Sequence, residues 1–198
     1  MVGCHTLQTA RPEKDVQAGS TESDANLVVA VGAGDMSALG ELVDRHQQKI
    51  MLFAYRTLGR WDLAEDVAQD VFLRVHRSAA RYKPTANVTT WLYRIAANLS
   101  LDAIRRDKRG PVSIADDADL SVPARGDTLE ARERVDMVRQ AVAALPDRQR
   151  VVVNLHRYEG LSHQEITETT GWSQSAVESL LVRAYANLRE SLSGLREP

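Results

Sequence analysis

The spacing of apolar residues constrains this chain more than any other feature. In "LAEDVAQDVFLRVHR" they fall at Leu63, Ala64, Val67, Val71, Phe72 and Val75, at intervals of three and four. Only an α-helix brings such positions to one side. A strand needs strict alternation, and no segment shows a defensible one. The same interval recurs through Leu39, Leu42, Val43, Ile50, Phe53 and Ala54 in a helix expected from Asp35 to about Leu58. It returns through Leu129, Val135, Val138, Val142 and Leu145. Aromatic residues make up 5% of the chain, while Ala, Leu, Arg and Val dominate, a mix that favours helix over sheet. The fold class expected is all-α.

Between two helical stretches lies "GPVSIADDADLSVPARGD", residues 110–127, with two Pro, two Gly, several acids and no periodicity. It reads as a flexible acidic linker joining two small helical domains, 24–109 and 128–198. Residues 1–23 are polar and aperiodic and read as a disordered tail. Asp24 and Asp62 are expected to cap helices, and Pro146 to occupy the first position of another. In the C-terminal unit, Ser162 with Glu165 three residues on makes a capping box. Gly171 supplies a turn and Ser173 caps the next helix, whose buried face is Ala176, Val177, Leu180, Leu181 and Ala184. Short helix, glycine turn and second helix form a helix-turn-helix, whose second helix enters a DNA major groove. Its reading positions are Gln174, Ser175, Glu178, Ser179, Val182 and Arg183. A plain helical hairpin with solvated polar residues fits the same caps.

Net charge is −2, but the charge is segregated. From Arg74 to Arg109 stand Arg74, Arg77, Arg81, Lys83, Arg94, Arg105, Arg106, Lys108 and Arg109 against only Asp102 and Asp107. The segment "TTWLYRIAANLSLDAIRRDKR", placed on a helical wheel, has two faces. Leu92, Ile95, Ala96, Leu99 and Ala103 pack inward, and Arg94, Asn98 and Arg105 share another side flanked by Trp91 and Arg109. An aromatic, an amide and guanidinium groups suit single-stranded DNA, by stacking, base-edge reading and phosphate tracking. The preceding loop adds Tyr82 and Lys83, with room for an extruded base. Tyr93 reads as core. Trp91 fits either the core or a base. The cluster Arg105, Arg106, Lys108, Arg109 exceeds what a helix C-terminus attracts by its dipole. Behind the stripe of 62–77 lies an acidic face, Glu65, Asp66, Gln69 and Asp70, which is either solvated or docks a basic protein.

Several classes drop out. One cysteine, Cys4, excludes a disulfide framework. The start lacks a secretory pattern and no apolar run spans a bilayer, so membrane insertion is not expected and the cytoplasm is the natural compartment. His46, His76, His156 and His163 lack metal-ligand spacing. With no nucleophile–base set and no phosphate loop, neither catalysis nor a cofactor or metal is expected.

Taken in order, these pieces resemble the extracytoplasmic-function sigma factors, the smallest class of the main bacterial sigma family. "DLAEDVAQDVFLRVHR" is similar to their polymerase-binding helix, and "YKPTANVTTWLYRIAANLSLDAIRRDKR" to their −10-recognition segment. "LPDRQRVVVNLHRYEGLSHQEITETTGWSQSAVESLLVRA" is similar to their −35-binding domain. The resemblance covers about Asp24 to Leu192 and implies sigma region 2 at 24–109 and region 4 at 128–198. It implies that Asp66, Gln69, Asp70 and Arg74 meet core RNA polymerase, whose largest and second-largest subunits are partners; Phe72, in the same segment, belongs to the core stripe. It implies that Tyr82, the loop 83–90 and Asn98 melt the −10 element, single-stranded there, and capture a flipped base. Glu178, Ser179, Val182 and Arg183 match the face that reads duplex −35 DNA. Glu178 stands where many members carry a base, and Val88 where an aromatic is frequent. An anti-sigma factor that binds both units is a further implied partner. The function implied is promoter-specific transcription initiation. The alternative is a helix-turn-helix repressor or activator that binds duplex operator DNA without joining polymerase.

Overall fold

The structure, a computed structural model, describes residues 15–83, 87–107 and 129–193. The linker 110–127, Arg109 and Lys108 lie outside these residues, as does most of the expected tail. The described chain is helical: α1 (Asp15–Gly32), α2 (Met36–Leu58), α3 (Trp61–Ser78), a 3-10 turn (Ala79–Arg81) and α4 (Val88–Arg106) form the N-terminal unit. The C-terminal unit comprises α5 (Leu129–Ala143), α6 (Asp147–Val153), a π-helical turn (Asn154–Tyr158), α7 (His163–Thr170) and α8 (Gln174–Ser191).

Helix α2 starts where Asp35 accepts from the backbone N–H groups of Ser37 (2.8 Å) and Ala38 (3.3 Å). It ends at Gly59, whose φ of 67° is a left-handed stop that glycine adopts without strain. Its stripe buries Leu42, Ile50, Phe53 and Ala54 against α3 and α4, which contribute Ala64, Val67, Val71, Val75, Leu92, Ala96 and Leu99. Each large side chain buried this way is worth about 1.5–3 kcal/mol. Gly32 lets α1 close on the 3-10 turn, since a Cβ there would meet the Ala79 backbone at 3.1 Å.

Three expected boundaries are corrected. Helix α1 starts at Asp15, so the tail does not reach residue 23. Asp24 lies inside α1, 3% exposed, and accepts from Arg45 at 2.6 Å and pairs with His46 at 2.8 Å; it clamps α1 to α2 and caps nothing. Helix α3 starts one turn position before Asp62, after Arg60, and Asp62 sits in its first turn paired to Arg60. Pro146 is likewise the residue before α6 and not its first residue. For Asp24 the competing signal is tertiary pairing, for Asp62 it is the neighbouring Arg60, and for Pro146 it is proline geometry.

In the C-terminal unit the local signals hold. Ser162 and Glu165 form the reciprocal capping box, Gly171 turns with φ 70°, and Ser173 accepts from Ala176 N–H. Val177, Leu181 and Ala184 are buried on α8, with Leu180 partly buried against the core. Val135 departs from its expected place in the α5 stripe and is 43% exposed. Buried Arg150 donates to the carbonyls of Ala143 and Leu145 at the end of α5 and to Asp147, supplying donors that the helix end lacks.

Candidate nucleic-acid and polymerase interfaces

Helices α3 and α4 pack side by side and leave a groove of ≈ 630 Å³ between them. Val67, Leu99 and Ala103 form its buried apolar floor, and Leu63 is half-buried beside them. Asp66, Gln69 and Asp70 stand exposed along one side, with Arg60, Arg106 and Asp107 on the other. The periodicity that sends Val67 and Val71 inward leaves positions 66, 69 and 70 on the outer flank. Arg60 crosses the groove end, bonding Asp107 at 2.7 Å and also Asp62. That pairing, led by the Arg60 hydrogen bond, holds the Asp62 carboxyl below its usual range. An apolar floor with the acids Asp66 and Asp70 along one rim fits an amphipathic helix that turns basic residues to that side. Arg74 is exposed on α3, one turn beyond Asp70 and outside the groove lining.

Arg106, expected among the DNA-facing cations, lines this groove and donates to the Asp102 carbonyl. Its spacing from Leu99 and Ala103, seven and three, is the signal that would have found it. Arg60 and Asp107 had no such signal, because they meet across 47 positions of sequence.

The other side of α4 carries Arg94 and Asn98, one turn apart and exposed, with exposed Arg105 tied to Asp102 at 2.8 Å. Helix α4 begins at Asn87, whose side chain accepts from Thr89 N–H at 2.9 Å. Val88 is fully buried and Thr90 is 7% exposed, so neither belongs to the loop that was expected to run to residue 90. Residues 84–86 of that loop lie outside the described ones. At its near end Tyr82 packs on Trp91, ring centres 5.0 Å apart and tilted by 41°. Both are partly buried against the core, and burial pushes the Tyr82 hydroxyl pKa up. The Trp91 ring packs on Tyr82 and the core and keeps part of its surface in solvent. Tyr93 is core, 3% exposed and edge-on to Phe53. Lys83 is exposed.

On α8 the reading positions Gln174, Ser175, Glu178, Val182 and Arg183 are exposed, with Ser179 half-buried. Gln174 donates to Glu178 at 3.0 Å, and Arg183 donates to Ser179 at 2.7 Å. Val182 is 71% exposed, an aliphatic group with no packing reason to be there. Such a group suits contact with a thymine methyl, and the amide-held carboxylate suits a cytosine amino group. Trp172, half-buried at the turn, lies under the Arg148 guanidinium at 5.1 Å. Trp172 lies in the turn by sequence, and Arg148 reaches it only because α6 packs on α8.

Among the described residues no group of three metal-binding side chains occurs, and no helix is long and apolar enough to cross a membrane.

Two family models match the chain: Sigma-70 region 2 over residues 42–110 and Sigma-70 region 4 over residues 136–188. The chain is 32% identical to the ECF RNA polymerase sigma factor SigW of Bacillus subtilis, over 83% of this chain and 94% of that protein. It is 35% identical to RNA polymerase sigma factor CarQ of Myxococcus xanthus, over 82% of this chain and 93% of that protein. Among solved structures it is similar to CnrH in complex with the cytosolic domain of CnrY, with a TM-score of 0.65 and 26% identity, over 86% of this chain and 97% of that one.

Proposed function

The chain belongs to the extracytoplasmic-function sigma factors, and from that premise we propose how its surfaces divide the work of transcription initiation. A sigma factor binds core RNA polymerase and directs it to promoters; the polymerase performs the chemistry. The α3–α4 groove, through Asp66, Gln69 and Asp70, receives the basic coiled coil of the largest polymerase subunit, with Arg74 extending the contact. The opposite side of α4, with Arg94, Asn98 and Arg105, tracks the separated −10 strand, and the Tyr82–Trp91 corner borders the flipped base. Arg106 stays with the groove. Helix α8 reads the −35 duplex through Gln174, Ser175, Glu178, Ser179, Val182 and Arg183. An anti-sigma factor controls the protein by occupying these surfaces, as the cytosolic domain of CnrY is held by CnrH.

The observation that carries this division is that α4 separates two chemistries. On its groove side Leu99 and Ala103 join an apolar floor faced by the α3 acids Asp66 and Asp70, and its outer side presents Arg94, Asn98 and Arg105. One helix then places DNA strand and polymerase on opposite flanks, so neither competes for the other's contacts.

The test is run-off transcription with purified core polymerase and a promoter library. Asp66→Arg is expected to weaken core binding at least tenfold, as a charge reversal in an interface does. Asn98→Ala is expected to leave core binding intact while cutting promoter opening and changing the −10 preference, on the scale of about 1–3 kcal/mol for a lost base contact. Undiminished co-purification of Asp66→Arg with core, or an unchanged −10 preference, would overturn the corresponding assignment. A protein that adds no promoter-specific transcript yet shifts duplex DNA unaided would instead be an operator-binding regulator.

A further inference from the structure

Helix α1 belongs to none of the surfaces assigned above, yet it packs on the 3-10 turn that leads into the Tyr82–Trp91 corner. Gly32, its last residue, lies against that turn. A Cβ there would stand 3.1 Å from the carbonyl carbon and oxygen of Ala79 and from Ala80 Cα. All three are backbone atoms, so no side-chain rotation relieves the approach. Gly32 is helical, and Ala is the better helix former. The left-handed stop after α1 falls to Gly34, with φ 98°, so Gly32 does not terminate the helix either. Close approach to the turn is what calls for glycine at this position.

The turn passes that contact on. The Tyr82 N–H donates at 3.0 Å to the Ala79 carbonyl, the group that Gly32 faces. The Tyr82 ring then packs on Trp91, ring centres 5.0 Å apart. Ala79 is buried, and packed interiors transmit a displacement instead of absorbing it. A second contact comes from the same helix. Asp24 shares the inward stripe of α1 with Val28, Val31 and Gly32. Arg45 and His46 of α2 fix its carboxylate, at 2.6 and 2.8 Å. That carboxylate lies near enough to Tyr82 for its charge, after burial, to push the hydroxyl pKa up. None of the residues lining the α3–α4 groove lies on α1, so α1 can act on the corner without touching the polymerase contact.

We infer that Gly32 and Asp24 are positioning residues for base capture at the −10 element. Gly32 sets the backbone of Ala79 and Ala80, Asp24 sets Tyr82, and together they fix the corner that borders the flipped base. The inference rests on the assignment of that corner proposed above. A methyl group at position 32 requires the turn to move by a few tenths of an ångström. A binding constellation works within about 0.5 Å of its productive geometry, so a shift of that order at Tyr82 cuts base capture.

The test measures promoter opening by the full chain with core polymerase, on intact promoter DNA and on the same DNA with each −10 position made abasic in turn. Gly32→Ala is expected to slow opening about tenfold on intact DNA, with core affinity unchanged. On the template that lacks the captured base, variant and unsubstituted protein should open at equal rates, because the corner has nothing to hold. Asp24→Asn keeps the shape and loses the charge; it should slow opening about threefold, with the same convergence. Gly40→Ala on α2, where a Cβ meets nothing within 4 Å, should open promoters at the unsubstituted rate. Normal opening by Gly32→Ala, a deficit that persists on every abasic template, or an equal deficit in Gly40→Ala overturns the inference. Where Gly32→Ala does not assemble with core, Asp24→Asn decides alone on the same templates. Trp91→Ala separates this inference from the assignment beneath it. Normal opening by Trp91→Ala removes the base from the corner altogether. Slow opening by Trp91→Ala beside normal opening by Gly32→Ala overturns the positioning role only.

Discussion

The two units reach stability by different routes. The N-terminal unit is built from long helices whose stripes interlock, with Phe53, Leu42, Ile50 and Leu92 among its largest fully buried side chains. The C-terminal helix-turn-helix has an eight-residue helix, α7, too short to be stable alone, and depends on caps and a left-handed glycine at its ends. One unit is held by the middles of its helices and the other by their ends. The consequence for function is direct. In the first unit the working residues are the outer flanks of helices already fixed by packing, so α4 can present two chemistries. In the second, the turn geometry at Gly171 and Ser173 sets the angle between α7 and α8.

The sharpest way to break this comparison is Phe53→Ala. A fully buried aromatic truncated to Ala is expected to cost about 3–5 kcal/mol and to lower the melting temperature of the N-terminal unit clearly. Hydrogen exchange would show the loss across α2, α3 and α4. Equal loss confined to α7 and α8 would contradict it. A smaller effect is expected from Ser162→Ala, which removes the capping-box hydroxyl at a cost of about 1 kcal/mol. Its signature is faster exchange in α7 amides with α2 and α3 unchanged. Uniform destabilisation of both units would show that the cap is not a local device.

The smallest effect is a pH dependence confined to the C-terminal unit. His156 lies against His163, ring centres 5.4 Å apart, with its Nδ1 2.9 Å from the Tyr185 hydroxyl. Burial, then the charges of His163 and Arg157, lowers its pKa below 6.5. The folded ring therefore resists a proton that the unfolded chain accepts. The contribution to stability is present above pH 6.5 and is lost as pH falls through the lowered folded value. Denaturation midpoints of α7–α8 should drop on acidification below pH 6.5, and His156→Asn should flatten that part of the profile. A profile unchanged by the substitution would remove His156 from the effect.

Much of this was legible in sequence wherever the cause is local. The stripes of α2, α3 and α4, the Ser162–Glu165 box, Gly171 and Ser173 all act within a few residues, and among the stripe positions of α2 only Val43 stays half-buried outside the core. Asp24 and Asp62 carry the sequence signal of a cap, but a carboxylate that can cap a helix also pairs with arginine, and only the fold brings Arg45 to Asp24. Charge counted along the chain groups Arg106 with Arg105, whereas around the helix Arg106 turns toward Leu99 and Ala103 and lines the groove.

By itself, the sequence determined an all-helical chain in two units, the family, and which residues each helix turns outward, since 3.6-residue periodicity fixes sidedness before any packing occurs. The tertiary structure alone decided what those sides meet. The groove needs α3 and α4 side by side, and Asn154 meets Thr57 and Arg56 meets Glu159 across about a hundred residues. Contacts at that separation carry no periodic signal, because the core, and not the chain between them, brings the partners together.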